Sequence, residues 1–198
     1  MKVITNFLLI ISTLLLCPAI YADYAVSLSE LKLMPHFCRG MSIGNLQDDA
    51  KHLHRKMHVP GQHTQHYCHG IKRIIRGDRA EFTKLGAGRG QYSAAVNEFD
   101  YVQSHSSKKH ALIPSTSLYR AEALAKMGRT LDALKEYNKA ISLKRKYPAA
   151  YAKLADYYIK LNQQQNALNT VKIGLKYSPK SKSLLRRLKK YGGQGDTP

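Results

Sequence analysis

The sequence predicts an all-α fold: a stack of helix hairpins, closed by a C-terminal capping helix and preceded by an irregular to helical N-terminal segment. Three observations predict it. The stretch PSTSLYRAEALAKMGRTLDALKEYNKAISLKRKY at 114–147 aligns with PAAYAKLADYYIKLNQQQNALNTVKIGLKYSPKS at 148–181 at an offset of 34 residues, and self-similarity at such a period marks stacked supersecondary units. Small residues recur in phase, Ala121 on Ala155 and Ala133 on Ala167, with large apolar residues between them at helical spacing, Leu134 on Leu168 and Ile141 on Leu175. Each copy also carries a turn signal at its middle, Gly128-Arg129 or Asn162-Gln163, so each reads as two helices joined by a short turn.

The pattern resembles the tetratricopeptide repeat, whose period is the same. At 148–181 the family positions are held by Tyr151, Leu154, Ala155, Tyr158, Ala167, Val171, Gly174 and Pro179. At 114–147 they are held by Ala121, Leu124, Gly128, Ala133, Tyr137 and Ala140. Arg120 departs from the pattern where Leu is usual, and Arg145 where Pro is usual. The resemblance implies a right-handed superhelical stack with a concave groove. That groove is lined mostly by the first helix of each pair and holds a peptide or a partner helix.

Two repeats bury too little alone, so flanking helices are expected. Upstream, 62–113 reads as a degenerate hairpin. Its first helix is TQHYCHGIKRIIRG (64–77), with Gly70 at the close-contact position, and its second is GQYSAAVNEFDYVQSH (90–105), with Ala95 and Phe99 four apart. Between them DRAEFTKLGAGRG reads as an insertion too rich in glycine to extend a helix. Its AGRG has no strand before it and no Lys-Ser/Thr after it, so it is not a phosphate loop. Downstream, 182–191 reads as the capping helix, with Leu184, Leu185 and Leu188 on one face, and 192–198 as a disordered tail.

At the N-terminus, Lys2, an apolar run from Phe7 to Leu16, Pro18 and the small residues Ala19 and Ala22 have the order of a secretory signal peptide over 1–22. Retention as an anchor is the alternative. A helical segment, 23–61, follows. The predicted location is periplasmic or secreted. Cleavage removes one positive charge from a chain of formal charge +19, leaving +18. That excess favours an anionic neighbour, and export argues against nucleic acid.

Cleavage also removes Cys17, leaving Cys38 and Cys68, which are predicted to pair in an oxidising compartment. Two buried thiols that never meet are the alternative. Closing a loop of that length stabilises by roughly 3–4 kcal/mol in the chain-entropy picture. The layout is similar to that of secreted bacterial tetratricopeptide proteins in which a Pro-aromatic-Cys segment, here LMPHFCRG at 33–40, precedes a His-Tyr-Cys segment. This similarity implies an architecture and no activity.

The stretch HTQHYCHG (63–70) invites chemical readings. Haem attachment needs C-x-x-C-H, and Gln65 stands in place of the first cysteine. Seven of the nine histidines fall between His36 and His69, and His63, His66 and His69 share a helical face. Yet no acid lies within 51–77 and Lys and Arg crowd the region. No metal site or cofactor is therefore predicted, and a metal-binding periplasmic protein stands as an alternative. There is no G-x-S-x-G and no H-E-x-x-H, and Asp78 with Glu81 reads as local charge balance. A disulfide abolishes any thiolate role for Cys68. The chain is not predicted to be an enzyme.

The predicted function is an exported protein–protein interaction scaffold. Its partner-binding residues are Arg120, Lys126, Lys153 and Tyr157, taken as reachable side chains of the first helices. Their charge suits an acidic peptide or a C-terminal carboxylate. Exposed charges contribute little to stability, so their reversal is expected to leave melting nearly unchanged. The alternative is contact with an anionic envelope surface, lipid or glycan, through the basic C-terminal part. There, 114–198 carries 18 Lys or Arg against five acids, a net of +13, and the capping helix has a narrow leucine stripe.

Overall fold

The computed structural model describes residues 26–41 and 61–192. They belong to two compact units, Met1–Val59 and Pro60–Pro198. The signal segment, Cys17, His52, His54, His58 and the tail from residue 193 lie outside the described residues. In the first unit, α1 (Leu28–Leu33) and α2 (His36–Met41) flank Pro35. A capping box starts α1: the Ser27 N–H donates to Glu30 Oε2 at 2.9 Å, and the Glu30 N–H donates to Ser27 Oγ at 3.3 Å. Cys38 and Cys68 are both disulfide-bonded.

The second unit holds seven helices among the described residues: α3 (Thr64–Thr83), α4 (Arg89–His105), α5 (Ile113–Lys126), α6 (Thr130–Leu143), α7 (Pro148–Lys160), α8 (Gln164–Tyr177) and α9 (Lys182–Gly192). Each packs on the next in sequence, giving the hairpins α3/α4, α5/α6 and α7/α8, with α9 closing against α7 and α8. The first helices α3, α5, α7 and α9 also touch in succession. The result is an all-α tetratricopeptide-like stack with the first helices forming one continuous layer.

The repeat positions explain the packing. Ala121, Ala133, Ala140, Ala155, Ala167 and Val171 are fully buried. A Cβ on Gly174 would lie 2.8 Å from Tyr151 Cγ and 2.9 Å from Leu184 Cδ1, and one on Gly70 would lie 2.5 Å from Phe99 Cε1. In the degenerate hairpin, Tyr67, Phe99 and Tyr119 fill the space between α3, α4 and α5, with ring centroids 5.9–6.4 Å apart.

The helices differ from expectation in one place. The insertion predicted to begin at Asp78 begins at Lys84, because α3 runs on to Thr83. The segment DRAEFT contains no glycine, and its Glu81 carboxylate then ties down the loop. Glu81 Oε2 accepts from the Gly86 N–H at 2.9 Å, and Oε1 from the Gly88 N–H at 3.0 Å.

The central turns are alike in both repeats. Gly128 (φ 77°) and Asn162 (φ 58°) sit in the left-handed region at equivalent positions. In each, the following N–H reaches back to the last helical turn, Arg129 to the Leu124 carbonyl at 3.0 Å and Gln163 to the Tyr158 carbonyl at 2.9 Å. At the other end of the stack Asp156 holds α9 in place. Its carboxylate accepts from Arg187 Nε at 2.8 Å and Nη2 at 2.5 Å, and from the Tyr191 hydroxyl. Burial pushes the Asp156 carboxyl upward, but these hydrogen bonds outweigh it and hold the group below its ordinary value.

Gly128→Ala is expected to cost about 1 kcal/mol, from backbone strain alone, since nothing lies within 4 Å of the added Cβ. Gly128→Asn should recover most of that. Gly174→Ala should cost about 1–3 kcal/mol by overpacking, and Asn should make it worse. Urea melts of the four variants separate the two mechanisms. Because Asp156 has a lowered folded value, its stabilisation is present above the unfolded carboxylate value of about 4 and is lost as pH falls through the folded one. Protection of the α9 amides, taken as exchange relative to the intrinsic rate at each pH, should therefore fall as pH drops through the folded value. Asp156→Asn should remove this dependence.

Candidate functional site

The first helices α5, α7 and α9, with Tyr137 of α6, enclose a cleft of about 680 Å³. α5 contributes Glu122, Ala125 and Lys126; α7 contributes Lys153, Asp156, Tyr157, Ile159 and Lys160; α9 contributes Arg186, Arg187, Lys190 and Tyr191. The repeat period builds this lining. Advancing by 34 residues carries Glu122 to Asp156 and then Lys190, Lys126 to Lys160, Lys153 to Arg187, and Tyr157 to Tyr191. Side chains at one repeat position face one way because the helices carrying them are stacked copies.

Six cations and two carboxylates line the cleft. Part of that charge is consumed internally. Lys153 Nζ donates to Glu122 Oε2 at 3.1 Å, and Arg187 to Asp156, so in both cases a carboxylate of one first helix takes a cation from the next. Lys126 Nζ donates to Asp78 Oδ1 at 2.6 Å and lies 5.4 Å from the centre of the Tyr92 ring. Lys160, Arg186 and Lys190 are exposed and form no ion pair among the described residues.

Below them, Glu122 Oε1 is buried without a hydrogen-bond partner. Burial pushes the Glu122 carboxyl above its ordinary value, against the pull of Lys153 and Lys126. Burial likewise pushes up the Tyr137 phenol. The Tyr191 phenol is pushed up to about 12, by burial first and by its Asp156 hydrogen bond. Both phenols therefore stay neutral. Neutral aromatic rings and internally paired charges thus lie beneath a cationic rim.

Of the four residues predicted to bind a partner, the structure brings together Lys126, Lys153 and Tyr157. Tyr157 is wall rather than rim: it is 7% exposed, and its hydroxyl donates to Thr130 Oγ1 at 3.1 Å. Arg120 does not line the cleft. It precedes the crossing residue Ala121 and turns toward the second helices. Its side chain is 19% exposed and bonds to Asp100 Oδ1 at 2.5 Å, with Glu136 Oε1 at 3.4 Å. Glu136 is itself buried and accepts from Gln103 Nε2 at 3.0 Å.

Reversing Arg120 would place a carboxylate against these acids, so its expected neutrality for stability does not hold. Sequence reasoning missed Glu122, Lys160, Arg186, Lys190 and Tyr191 as cleft residues. The signal was present: the period applied to Lys126 and Tyr157 leads to Lys160 and Tyr191.

The described histidines do not join the cleft. His66 Nδ1 lies 2.7 Å from Glu98 Oε2, and His69 Nδ1 lies 3.9 Å from Glu98 Oε1. The His66 ring stacks on Tyr101, and Tyr101 on His105, each at 3.9 Å. Burial holds His69 below its ordinary value, with Lys72 adding to the effect. Glu98 of α4 thus supplies the acid that the sequence around the histidines lacks. Among the described residues no group of three or more His, Cys, Asp or Glu side chains is placed to hold a metal ion.

No family model matches the chain. Over 101 residues, 51% of its length, it is 35% identical to a Hsp70-Hsp90 organising protein of Plasmodium falciparum, of which the match covers 38%. The same identity and extent hold against the Hsp70-Hsp90 organising protein of Plasmodium falciparum isolate 3D7, of which the match covers 17%. The chain therefore spans well under half the length of these relatives. Among solved structures it is similar to the second TPR domain of the human RPAP3 protein, determined by NMR in complex with the HSP70 peptide SGPTIEEVD. That likeness has a TM-score of 0.44 and 20% identity, and covers 65% of this chain and 99% of that one. With its 34-residue period, its stacked hairpins and this sequence similarity, the chain carries tetratricopeptide-type repeats.

Proposed function

We propose that the chain is an exported interaction scaffold that holds an acidic segment of a partner protein in the cleft between α5, α7 and α9. The observation that carries this reading is the rim of Lys160, Arg186 and Lys190, cations over an aromatic wall with no protein counter-ion among the described residues. Carboxylates of a partner would complete them. The relatives' name links them to Hsp70 and Hsp90. Since the chain spans only 38% of one such protein, the proposal takes from them protein binding and no particular partner. The reading needs neither a cofactor nor reaction chemistry. Export is supported by the charged, apolar and small-residue order of 1–22 and by two disulfide-bonded cysteines, which suit an oxidising compartment.

Fluorescence anisotropy with labelled peptides tests the cleft. Acidic peptides, with free and with amidated C-termini, should bind more tightly than a neutral peptide of the same length, and less tightly as salt rises. The triple variant Lys160→Glu, Arg186→Glu, Lys190→Glu should weaken acidic-peptide binding by about tenfold or more. Its melting should change little, because these exposed side chains form no ion pair among the described residues, and Lys190 makes only a cation–π contact with Tyr191 at 5.9 Å. Equal binding of acidic and neutral peptides, or undiminished binding by the variant, overturns the reading. For export, intact-mass analysis of the periplasmic fraction should find the chain without Met1–Ala22. Non-reducing digestion should release Cys38 and Cys68 on one linked peptide pair. A full-length mass with Cys38 and Cys68 both alkylatable would sink the export proposal.

A further inference from the structure

We propose that the tip of the α3/α4 hairpin is a membrane-surface contact, which seats Phe82 and Leu85 in the interface of an anionic bilayer. Phe82 is 93% exposed and Leu85 92% exposed. Single exposed apolar residues are ordinary, but two large ones, three apart at one apex, form a local patch. The tip's backbone is satisfied from within. Besides the Glu81 bonds to Gly86 and Gly88, the Ala87 N–H donates to the Lys84 carbonyl at 3.1 Å. The loop is thus held in one shape with its apolar side chains outward, so insertion would leave no loop to order.

Charge identifies the occupant. Lys84 and Arg89 flank the apolar pair, are exposed, and form no ion pair among the described residues. The acids nearby are engaged within the hairpin and its neighbour: Glu81 accepts from the loop amides, and Asp78, 49% exposed, accepts from the Tyr92 hydroxyl at 2.8 Å and from Lys126. The apex therefore presents an exposed apolar pair flanked by two cations without an ion pair, the combination that partitions to anionic headgroups. The bond between Lys126 and Asp78 brings the C-terminal ends of α3 and α5 together, and the next tip on that edge exposes Leu131 at 84%.

Phe82 borders an open hollow that it shares with Asp78, Glu81, Tyr92 and Lys126, and the two carboxylates there disfavour an acidic peptide, whereas a bilayer requires no groove. The leucine stripe of α9 offers only Leu185, 45% exposed, to such a contact, because Leu184 is fully buried and Leu188 packs on the core. No described helix is long and apolar enough to cross a membrane, so the contact is peripheral.

The chain contains no tryptophan, so Phe82→Trp supplies a single reporter. With vesicles of phosphatidylcholine and phosphatidylglycerol its emission should shift to the blue and be quenched by brominated lipid. Pure phosphatidylcholine vesicles should give a much weaker effect. In co-sedimentation, Phe82→Ser with Leu85→Ser should reduce binding to the anionic vesicles by about tenfold. The same double variant should retain its melting temperature and its acidic-peptide binding, so failure of the cleft reading and failure of this one are distinguishable. An unshifted emission from the Phe82→Trp variant, or equal vesicle binding by the double variant, overturns the proposal. So does a concentration-dependent dimer that the double variant abolishes, which would assign the patch to a second copy of the chain.

Discussion

The stack depends on helices approaching closely where side chains are too small to hold them apart. Ala121 and Ala155 on the first helices, and Ala133, Ala167 and Gly174 on the second, are the crossing points, and the alanines are fully buried. At Gly174 even a methyl group would collide with Tyr151 and Leu184. Because packed interiors have little free volume, a residue one size larger must push the helices apart or force a rotamer change. The close approach makes successive first helices nearly parallel copies, and that places equivalent side chains in one cleft.

A charge pattern follows from the same repetition. A carboxylate one residue after the crossing alanine, Glu122 or Asp156, meets a cation carried by the next first helix, Lys153 or Arg187. The two pairs are the same contact one repeat apart, yet they differ in consequence. Arg187 grips Asp156 with two nitrogens, and the Tyr191 hydroxyl joins them, so that site ties down the last helix. Lys153 offers one bond and leaves a Glu122 oxygen buried without a partner. The first pair secures the end of the stack, and the second leaves polar capacity in the cleft wall. Cations beyond these pairs, Lys160, Arg186 and Lys190, form the rim, where an acidic ligand would neutralise them.

The N-terminal part of the stack is built differently. Its hairpin lacks the repeat's short turn and uses Glu81 to fold five residues, 84–88, between helices. Aromatic rings of α3, α4 and α5 do the filling that alanine and leucine do later. The histidines that stand out in the sequence form a half-buried column with Tyr101 and Glu98, on a face remote in sequence from the cleft residues. Their polar surroundings are a consequence of helix spacing, which puts residues 66 and 69 on one side of α3 beside α4.

By itself the sequence determined the helical hairpins, their period, the turns at Gly128-Arg129 and Asn162-Gln163, and the small residues at the crossings. All of these are local or repeat with fixed spacing, and both kinds of signal survive without knowledge of distant contacts. Lys126 and Lys153 were legible as cleft cations for the same reason. Only the tertiary structure decided which charges are spoken for. Arg120 is absorbed by Asp100 and Glu136, the latter a buried acid on another helix, while Lys160 and Lys190 form no ion pair among the described residues. It also decided that α3 continues through Asp78, Glu81 and Phe82, because the Glu81 carboxylate closes onto amides five and seven residues away. An ion pair depends on where two helices place their side chains in space, and that is settled by packing rather than by the identity of either residue.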